Sequence, residues 1–560
     1  MPARDLVWSF PAKRVRSTLP REAPANGDGA ERNEAPGAVA GNPLVPLKPL
    51  NVTIIDLTTR GPDRRPFSRL MNANYASIMP QVIAVWCAEL GAKIHFVCYT
   101  GTEDLDELLN VPTDVLFIGA FTLSAHTAYA LSNLFRQKGA VTVLGGPHAR
   151  CYPEDAEKYF DYVLGFTDKP QVEEILRERA PNRPQGRRIA SLKPPAALPS
   201  VRERWPYVET TVKKAPYIKM VPMIGSLGCP YTCKFCIDST VDYQPLDFGQ
   251  ITSDMRFLRT KFKKPLIAWH DPNFGIRFDD YMGAMEEAVP PGSVESVAES
   301  SLSVLSEPNL KRMSKNGFVG MLPGIESWFD FGNKSRTTRV NGLAKVKQVA
   351  DHVNLVLRHI PYVQTNFVLG LDTDAGPEPF ELTKTFVDMA PGAYPAYSML
   401  TCYGRAAPMN LDLQRAGRVL PFPFHFLDSN HATNVRPLNY GWKEYYDLTR
   451  ELTRHTISAR GVWRRMIANK HWTTKVLHFV RGAASDRVGY LDQVRRGLSS
   501  DLTFRRFYEG ESRTVPEFYM KRIKASLGPL WDALPHGALT HDHNAYLHSS
   551  PRQAAIAAAE

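Results

Sequence analysis

The chain has 560 residues, enough for several domains with well-buried cores, and with 43% hydrophobic and 22% charged residues its composition is ordinary for a soluble protein. Its apolar stretches fall far short of the ~18–20 residues that a membrane-spanning helix needs, and the N-terminus lacks the apolar segment of a secretory signal peptide. The formal net charge of +11 calls for an anionic partner or a well-solvated basic surface.

The N-terminal part of the chain predicts a disordered tail followed by a parallel sheet. Residues 1–48 are rich in Pro, Ala, Gly and Arg and show almost no apolar periodicity, so we expect them to be disordered. Between residues 50 and 178, apolar segments alternate with helical or turn segments, a pattern typical of a Rossmann-like, doubly wound parallel sheet. The predicted strands are 52–57, 94–99, 115–121, 141–144 and 162–164.

A second α/β alternation follows a proline-rich segment. Residues 179–205 contain five prolines and predict a semi-rigid linker. The region 206–420 predicts a partial (βα)6 relative of the TIM barrel, and residues 421–545 predict a helical C-terminal domain. Residues 546–560 predict a second disordered tail. The predicted barrel strands are 220–224, 266–269, 294–298, 319–322, 363–369 and 397–401.

Three of the seven cysteines lie within eight residues, directly after the first predicted barrel strand. Cys229, Cys233 and Cys236 can supply three thiolates to a cubic iron–sulfur cluster, and no fourth cysteine follows at a suitable spacing. The fourth iron would stay open to an exogenous ligand, as a catalytic metal site requires. A zinc site would normally bring a second pair of ligands, and a disulfide across so short a loop would be strained, so we favour the cluster. Low cysteine usage and an oxygen-sensitive cluster predict a cytoplasmic location.

The CxxxCxxC loop, with Phe235 before its last cysteine, resembles the signature of the radical S-adenosylmethionine (SAM) enzymes. A parallel α/β domain, a linker, a barrel that begins with this loop and a helical C-terminus together resemble the members that carry an N-terminal cobalamin-binding domain. The resemblance covers roughly residues 50–450. It implies a [4Fe-4S] cluster, SAM and cobalamin as cofactors. It also implies that the open iron chelates SAM and that the reduced cluster cleaves SAM to a 5′-deoxyadenosyl radical.

The resemblance implies ligands for each cofactor. The three cysteines would hold the cluster, with Phe235 shielding it. Gly324-Ile-Glu-Ser327 resembles the fourth-strand motif that contacts SAM, Glu299 ends the third strand, and Asp271 is either a SAM contact or a helix N-cap. The residues expected around SAM are Asp271, Glu299, Gly324, Glu326 and Ser327, and those expected around the corrin are Ser124, Gly145, Gly146 and His148.

The implied reaction is a methyl transfer to an unactivated carbon of a metabolite, supported by an external electron donor of the flavodoxin or ferredoxin type. Thr58 stands where cobalamin domains of the methionine synthase type have a cobalt-ligating histidine, a residue that many radical SAM relatives also lack. Two alternatives stay open: a rearrangement, cyclisation or oxidation by a radical SAM enzyme without bound cobalamin, and a non-catalytic iron–sulfur redox sensor. The partner predicted in every enzymatic case is a small-molecule substrate.

A basic, aromatic segment near the C-terminus has two interpretations. Residues 456–498 contain nine Lys or Arg, two Asp and the aromatic residues Trp463, Trp472, Phe479 and Tyr490. Basic residues interleaved with aromatics can bind RNA or the surface of an anionic membrane. A helical subdomain whose basic side chains surround a packed core explains the same pattern, and we favour it because no nucleic-acid motif accompanies the charge.

Overall fold

The computed structural model describes residues 50–61, 71–191, 193–338 and 340–545, and all of them fall in one compact unit. The predicted tails, 1–48 and 546–560, lie outside the described residues.

The first half of the described chain forms a six-stranded parallel sheet in the order β2-β1-β3-β4-β5-β6, which confirms the predicted doubly wound fold. Six of the seven residues of β1 are buried, as expected for a parallel strand with helices on both faces of its sheet. The strands are β1 Asn51–Leu57, β2 Lys93–Tyr99, β3 Val115–Gly119, β4 Val141–Gly145, β5 Tyr162–Leu164 and β6 Arg187–Ile189. The helices are α1 Ile78–Glu89, α2 Leu105–Asn110, α3 Ala125–Gln137, α4 Pro147–Cys151, α5 Pro153–Ala156, α6 Lys169–Glu178 and α7 Val201–Lys214.

The predicted linker, 179–205, instead contributes β6 and the first turn of α7. Its attachment depends on Asp161, whose carboxylate is fully buried and accepts hydrogen bonds from Arg136 (2.9 Å), Arg183 (2.9 Å) and the backbone N–H of Thr142 (2.8 Å). Burial alone would raise the pKa of Asp161, but hydrogen bonds from the two arginines hold it below its ordinary value of 3.8. The ion pair of Arg183 with Asp161 therefore fastens the segment that leads into β6 to the sheet.

We expect Asp161→Asn to destabilise the N-terminal sheet by about 2–3 kcal/mol, because two partly buried guanidinium groups lose their counter-charge. Because the pKa of Asp161 is depressed in the folded protein, this carboxylate stabilises the fold at pH values above its unfolded pKa of 3.8. Its contribution disappears as the pH falls through the lower pKa of the folded state. Urea denaturation followed by circular dichroism, at neutral and acid pH, measures both effects. Glu209→Gln, which breaks an exposed pair with Lys213 on α7, is the control and should leave the denaturation midpoint unchanged, because solvent screens the pair. An unchanged denaturation midpoint in Asp161→Asn would contradict the anchoring role.

The second half forms another six-stranded parallel sheet, in the order β14-β13-β12-β11-β10-β7, with helices between the strands. This is the predicted partial (βα)6 barrel, and its outermost strands, β7 and β14, do not pair with each other. The strands are β7 Met220–Met223, β10 Leu266–Trp269, β11 Glu295–Ser301, β12 Phe318–Glu326, β13 Tyr362–Leu369 and β14 Tyr394–Met399. A separate antiparallel pair, β8 Ser226–Leu227 and β9 Gln244–Pro245, follows β7. The helices are α8 Phe248–Lys261, α9 Phe278–Ala288, α10 Glu307–Lys315, α11 Gly332–Ser335, α12 Gly342–His359, α13 Glu378–Met389 and α14 Met409–Arg415.

The unpaired edge of β14 is covered by the C-terminal helices. Arg465 donates to the carbonyl of Ala393 (3.0 Å) and Arg487 to the carbonyl of Tyr397 (2.8 Å). A buried strand edge needs such partners because its backbone groups would otherwise be unsatisfied. The helices that follow the barrel are α15 Trp442–Ile457, α16 Ala459–Ala468, α17 Trp472–Ala483, α18 Arg487–Ser500, α19 Leu502–Tyr508 and α20 Glu517–Leu527.

The C-terminal region is helical, as predicted, but its aromatic residues do not all form a core. Tyr490 is buried, whereas Trp463, Trp472 and Phe479 are among the most exposed large apolar side chains of the described residues. The expectation that basic side chains surround these aromatics in a packed subdomain is therefore wrong for these three. Within the described ranges, every helix is too short or too polar to cross a bilayer.

Candidate active site

The cysteine loop begins directly after β7 and is framed by the β8–β9 pair. The backbone N–H of Cys229 donates to the carbonyl of Val241 (3.3 Å), and that of Cys236 donates to the carbonyl of Cys233 (2.9 Å). The backbone N–H of Asp238 donates to the sulfur of Cys236 (3.4 Å). The loop therefore folds back on itself and directs a backbone donor at one thiol, a contact that tunes iron–sulfur ligands.

The three thiols lie close together at the carboxyl end of the barrel strands. Cys233 is buried and the other two are half-buried. Burial raises the pKa of all three thiols, and it is the largest cause of the rise to about 11 at Cys236, to which the charges of Asp238, Cys233 and Cys229 also contribute. Loading of metal must therefore displace protons from the loop. Within the part of the chain that the structure describes, no three His, Cys, Asp or Glu side chains converge on a point that would hold one metal ion. A cubic cluster instead takes one thiolate at each of three separate irons.

Asp271 is buried beneath the cysteine loop. Its carboxylate accepts hydrogen bonds from the backbone N–H of Gly225 (3.2 Å), the hydroxyl of Ser226 (2.7 Å) and the phenol of Tyr281. A Cβ at position 225 would lie 2.4 Å from the Tyr281 ring, so only glycine lets this ring approach. Of the two roles expected for Asp271, the structure excludes the helix N-cap, because the N-cap of α9 is Arg277. The carboxylate fixes the entry to the cysteine loop, and its contact with SAM stays a prediction.

We expect Asp271→Ala to lower the iron bound per chain by at least half, because three buried donors at the base of the loop lose their acceptor at a cost of ~1–3 kcal/mol each. Colorimetric iron and sulfide determination after anaerobic reconstitution measures the loss. Asp279→Ala, at a side chain that is 92% exposed on α9, is the matched control and should bind iron as the parent does. Full iron loading of Asp271→Ala would show that the loop does not need this carboxylate.

Two carboxylates and a lysine lie beside the thiols. Glu326 ends β12 with φ of 66° and accepts a salt bridge from Lys334 at 2.6 Å. Burial alone would lower the pKa of Lys334, but Glu326 and then Cys233 raise it above its ordinary value, so the ammonium group stays charged. A Cβ on Gly324 would stand 2.3 Å from the Glu326 carboxylate, so glycine leaves the room that this ion pair occupies. Desolvation and then Glu326 raise the pKa of Glu299, whose side chain keeps an exposed surface on β11.

Two further residues predicted around SAM and the cluster are Ser327 and Phe235. Ser327 is buried and its hydroxyl accepts from the backbone N–H of Phe329 (3.1 Å), so its contact with SAM stays a prediction. The ring of Phe235 packs against Phe331 at 5.5 Å and against an apolar cluster next to the loop, and its role as a shield of the iron–sulfur cluster stays a prediction.

Sequence reasoning missed Lys334 and Lys345, which organise the end of β12. Lys345 is buried and donates to the carbonyls of Ser327 (2.7 Å) and Asp330, and burial lowers its pKa to about 8. A single lysine eight residues after a glutamate, and another inside an amphipathic helix, carry no pattern that distinguishes them from surface residues. Only the observed fold of the β12 loop brings them to this site.

The loops predicted to face the corrin pack backbone to backbone at the carboxyl end of the first sheet. The N–H of Ala120 donates to the carbonyl of Gly145 (3.2 Å), and the N–H of His148 donates to the carbonyl of Ala120 (3.1 Å). Gly146 has φ of 88°, and a Cβ there would stand 2.9 Å from the carbonyl oxygen of Ala120. Gly145, in contrast, has no atom within 4 Å of a Cβ position, so open space faces it.

Two side chains of these loops differ from expectation. His148 is fully buried, with Nε2 at 2.7 Å from the Tyr129 hydroxyl, and burial lowers its pKa to about 3. It therefore packs inside the domain, and the expectation that its side chain lines the corrin site is not supported. Ser124 is also buried, at the start of α3. Phe121, which was not predicted, is 46% exposed and presents an apolar surface at the same edge.

The two sets of loops meet through α4. Arg150 donates to the carbonyl of Ile237 (2.9 Å) and pairs with Asp238 (3.3 Å), directly after the last cysteine. Tyr152, just after α4, donates to the carbonyl of Cys402 (3.0 Å) beyond β14. The glycine turn that precedes α4 and the cysteine loop are thus held on either side of one short helix.

Comparisons with known proteins agree with this arrangement. No family model matches the chain. The bacteriochlorophyllide d C-12(1)-methyltransferase of Chlorobaculum tepidum is 23% identical over 364 residues, 63% of this chain and 76% of that protein. The bacteriochlorophyllide d C-8(2)-methyltransferase of the same organism is 28% identical over 229 residues, 38% of this chain and 50% of that protein.

Among solved structures, the cobalamin-dependent S-adenosylmethionine radical enzyme OxsB with aqua-cobalamin bound is similar in fold. The match has a TM-score of 0.52 and 12% identity, and it covers 87% of this chain and 80% of that chain. Similarity at this level of identity shows the shared fold, in which a parallel α/β domain precedes the barrel. The fold therefore agrees with the one predicted from the sequence, and the chain is similar to two curated bacteriochlorophyllide methyltransferases.

Proposed function

We propose that the chain is a cobalamin-dependent radical SAM methyltransferase that acts on an unactivated carbon of a small-molecule substrate. The observation that carries the proposal is the bridge through Arg150, which fastens the glycine turn of the first domain to the residues next to Cys236. Two unlike loops, one suited to a cluster and one to a flat ligand, therefore border the same region. The curated relatives are methyltransferases by name, and OxsB is named a cobalamin-dependent enzyme, which supports the same function.

The residues present fit each cofactor. Cys229, Cys233 and Cys236 would hold a [4Fe-4S] cluster, because three neighbouring thiols on a preformed loop face the barrel rim and one receives a backbone N–H. Lys334 and Glu326 would bind the charged amino-acid end of SAM, because they offer one cation and one anion beside these thiols.

The cobalamin site would lie over Gly145. The open space at this glycine and the exposed ring of Phe121 give a flat apolar ligand room to contact the backbone. Thr58 would not take part in holding the group, because its hydroxyl already donates to the carbonyl of Tyr99 (2.9 Å).

When bound, these cofactors supply hydrogen-atom abstraction from an unactivated carbon and a transferable methyl group. The chain's own part is to hold the groups in place and to exclude water. Asp271 fixes the cysteine loop, Phe235 and Phe331 make its surroundings apolar, and Glu299 would contact SAM beside Glu326. A cytoplasmic location and a flavodoxin- or ferredoxin-type electron donor complete the proposal, since a reduced cluster requires both a reducing compartment and a source of electrons.

Replacement of one cluster ligand should abolish the cleavage of SAM. We expect Cys236→Ala, reconstituted anaerobically and supplied with SAM and dithionite, to form less than about 1% of the parent's 5′-deoxyadenosine, because the cluster loses one of three thiolates. Liquid chromatography with mass detection measures the product. Cys87→Ala, at a buried thiol of α1, is the control and should retain activity. Equal product from Cys236→Ala and the parent would contradict the proposal.

A bulky side chain at Gly145 should block cobalamin without unfolding the chain. The structure leaves open space at this position, so we expect Gly145→Leu to keep its iron and its melting temperature but to lose the visible absorbance of bound cobalamin. Gly283→Leu, at a glycine of α9 that likewise has no neighbour within 4 Å, is the control. Cobalamin loading of Gly145→Leu equal to that of the parent would place the corrin elsewhere, and a parent that never binds cobalamin would favour radical SAM chemistry without it.

A further inference from the structure

The helical hairpin formed by α16 and α17 has its polar side turned inward. On α17, Thr474 and His478 are buried, and Arg481 lies 3.6 Å from the centre of the Tyr394 ring and donates to Gln364 (2.6 Å). The partner helix α16 likewise directs its buried Arg465 at the barrel. A surface helix of a globular protein normally packs its apolar stripe against the core. Here that face of each helix is polar and cationic.

The apolar side of the same hairpin faces outward. Trp472, Val476 and Phe479 follow one another at four- and three-residue spacing and so share one face of α17, and Trp463 and Ile467 share one face of α16. Their exposed fractions are 74%, 39%, 54%, 62% and 63% in that order. We call this set the hairpin face. The two helices are fixed together where a Cβ on Gly482 would approach Val462 to 2.6 Å, so both parts of the face belong to one rigid unit.

The charge around the hairpin face is of one sign. Residues 456–485 contain six Lys or Arg and no Asp or Glu. Arg465 and Arg481 point into the protein and Arg464 pairs with Asp388 (2.5 Å), whereas Arg460 and Lys470 are exposed and Lys475 is half-exposed. An outward stripe of Trp, Phe, Ile and Val bordered by such cations is the pattern of a helix that lies in the headgroup region of an anionic membrane.

We propose that the hairpin face docks the enzyme on the surface of a membrane that contains anionic lipids. Trp472, Phe479 and Trp463 insert at the headgroup level, where amphipathic aromatic rings are favoured, and Arg460, Lys470 and Lys475 bind lipid phosphates. Two observations favour this occupant over others. The positive charges on two copies of the hairpin would repel each other and so oppose dimerisation through this face. Nucleic-acid bases bind by stacking on aromatic rings, and the aliphatic side chains of Ile467 and Val476 provide no ring for them.

The test is co-sedimentation of the purified full chain with phosphatidylcholine vesicles, with and without phosphatidylglycerol. We expect binding to the anionic vesicles that falls at high salt, and a loss of roughly ten-fold or more in the double variant Trp472→Ser with Phe479→Ser. Lys470→Gln and Lys475→Gln should each weaken binding roughly five-fold. Leu438→Ser, at a leucine that is 59% exposed outside the hairpin, is the matched control and should bind as the parent does.

Four outcomes overturn the proposal. The first is that the parent binds neither kind of vesicle, and the second is that the parent and the double variant bind equally. The third is that the parent sediments as a dimer while the double variant is a monomer. The fourth is hairpin-dependent retention of single-stranded RNA without vesicle binding. Circular dichroism and iron content of the variants confirm that they fold. None of these readouts needs SAM, cobalamin or turnover, so their failure leaves the proposed enzymatic function untouched, and failure of that function leaves the docking intact.

Discussion

The architecture depends on how an unclosed barrel manages its two free edges. A six-stranded parallel sheet leaves the outer strands β7 and β14 unpaired, and the gap between them would expose backbone groups and admit water. The N-terminal domain closes this gap. At the carboxyl ends of the strands, Arg150 donates to the carbonyl of Ile237 in the loop that follows β7. Tyr152 donates to the carbonyl of Cys402, which follows β14. Near the amino end of β7, the N–H of Met220 donates to the side chain of Asn74 (2.9 Å).

The same closure brings the functional loops together. Because α4 bridges the gap, the glycine turn before it must lie close to the cysteine loop. The C-terminal helices cover β14 as well, since Arg465 on α16 donates to the carbonyl of Ala393, just before this strand, and Arg487 on α18 donates to the carbonyl of Tyr397 within it. The inward position of Arg465 on α16 follows from this contact, and Arg481 on α17 donates to Gln364 of β13.

Several interior charges of this protein hold loops and strand ends in position. Asp271 fixes the entry to the cysteine loop, Asp161 fastens β6, and Lys345 holds the end of β12. Each is a buried charge compensated by several hydrogen bonds, the condition under which such a group is tolerated. Glu299 and Phe121, in contrast, keep exposed side chains at the ends of their strands.

Sequence patterns predicted the strands well because a strand of a parallel sheet is buried on both faces. Such a strand appears in the sequence as a run of four to eight apolar residues. The strand β10, for example, was predicted at 266–269, and the structure has it at the same residues. Local patterns could not predict β6, because its Arg187 and Arg188 resemble a solvated linker until Glu174 and Glu157 are brought beside them by the fold. The inward position of His148 and the role of Asp271 likewise depend on contacts with residues distant in sequence, Tyr129 and Gly225. The outward face of α17 was missed for the opposite reason: alternating apolar and polar positions predict an amphipathic helix but not which side is covered.

The central claim is that the cysteine loop and the glycine turn serve one shared site. The most direct measurement is pulsed electron paramagnetic resonance on reconstituted enzyme with both the cluster and cobalamin in their paramagnetic states. We expect a resolved dipolar coupling between the two spins, because the glycine turn and the cysteine loop lie on either side of the short helix α4. Arg150 of this helix holds the cysteine loop in place. Two signals that relax and resonate independently, with both cofactors fully bound, would contradict the account.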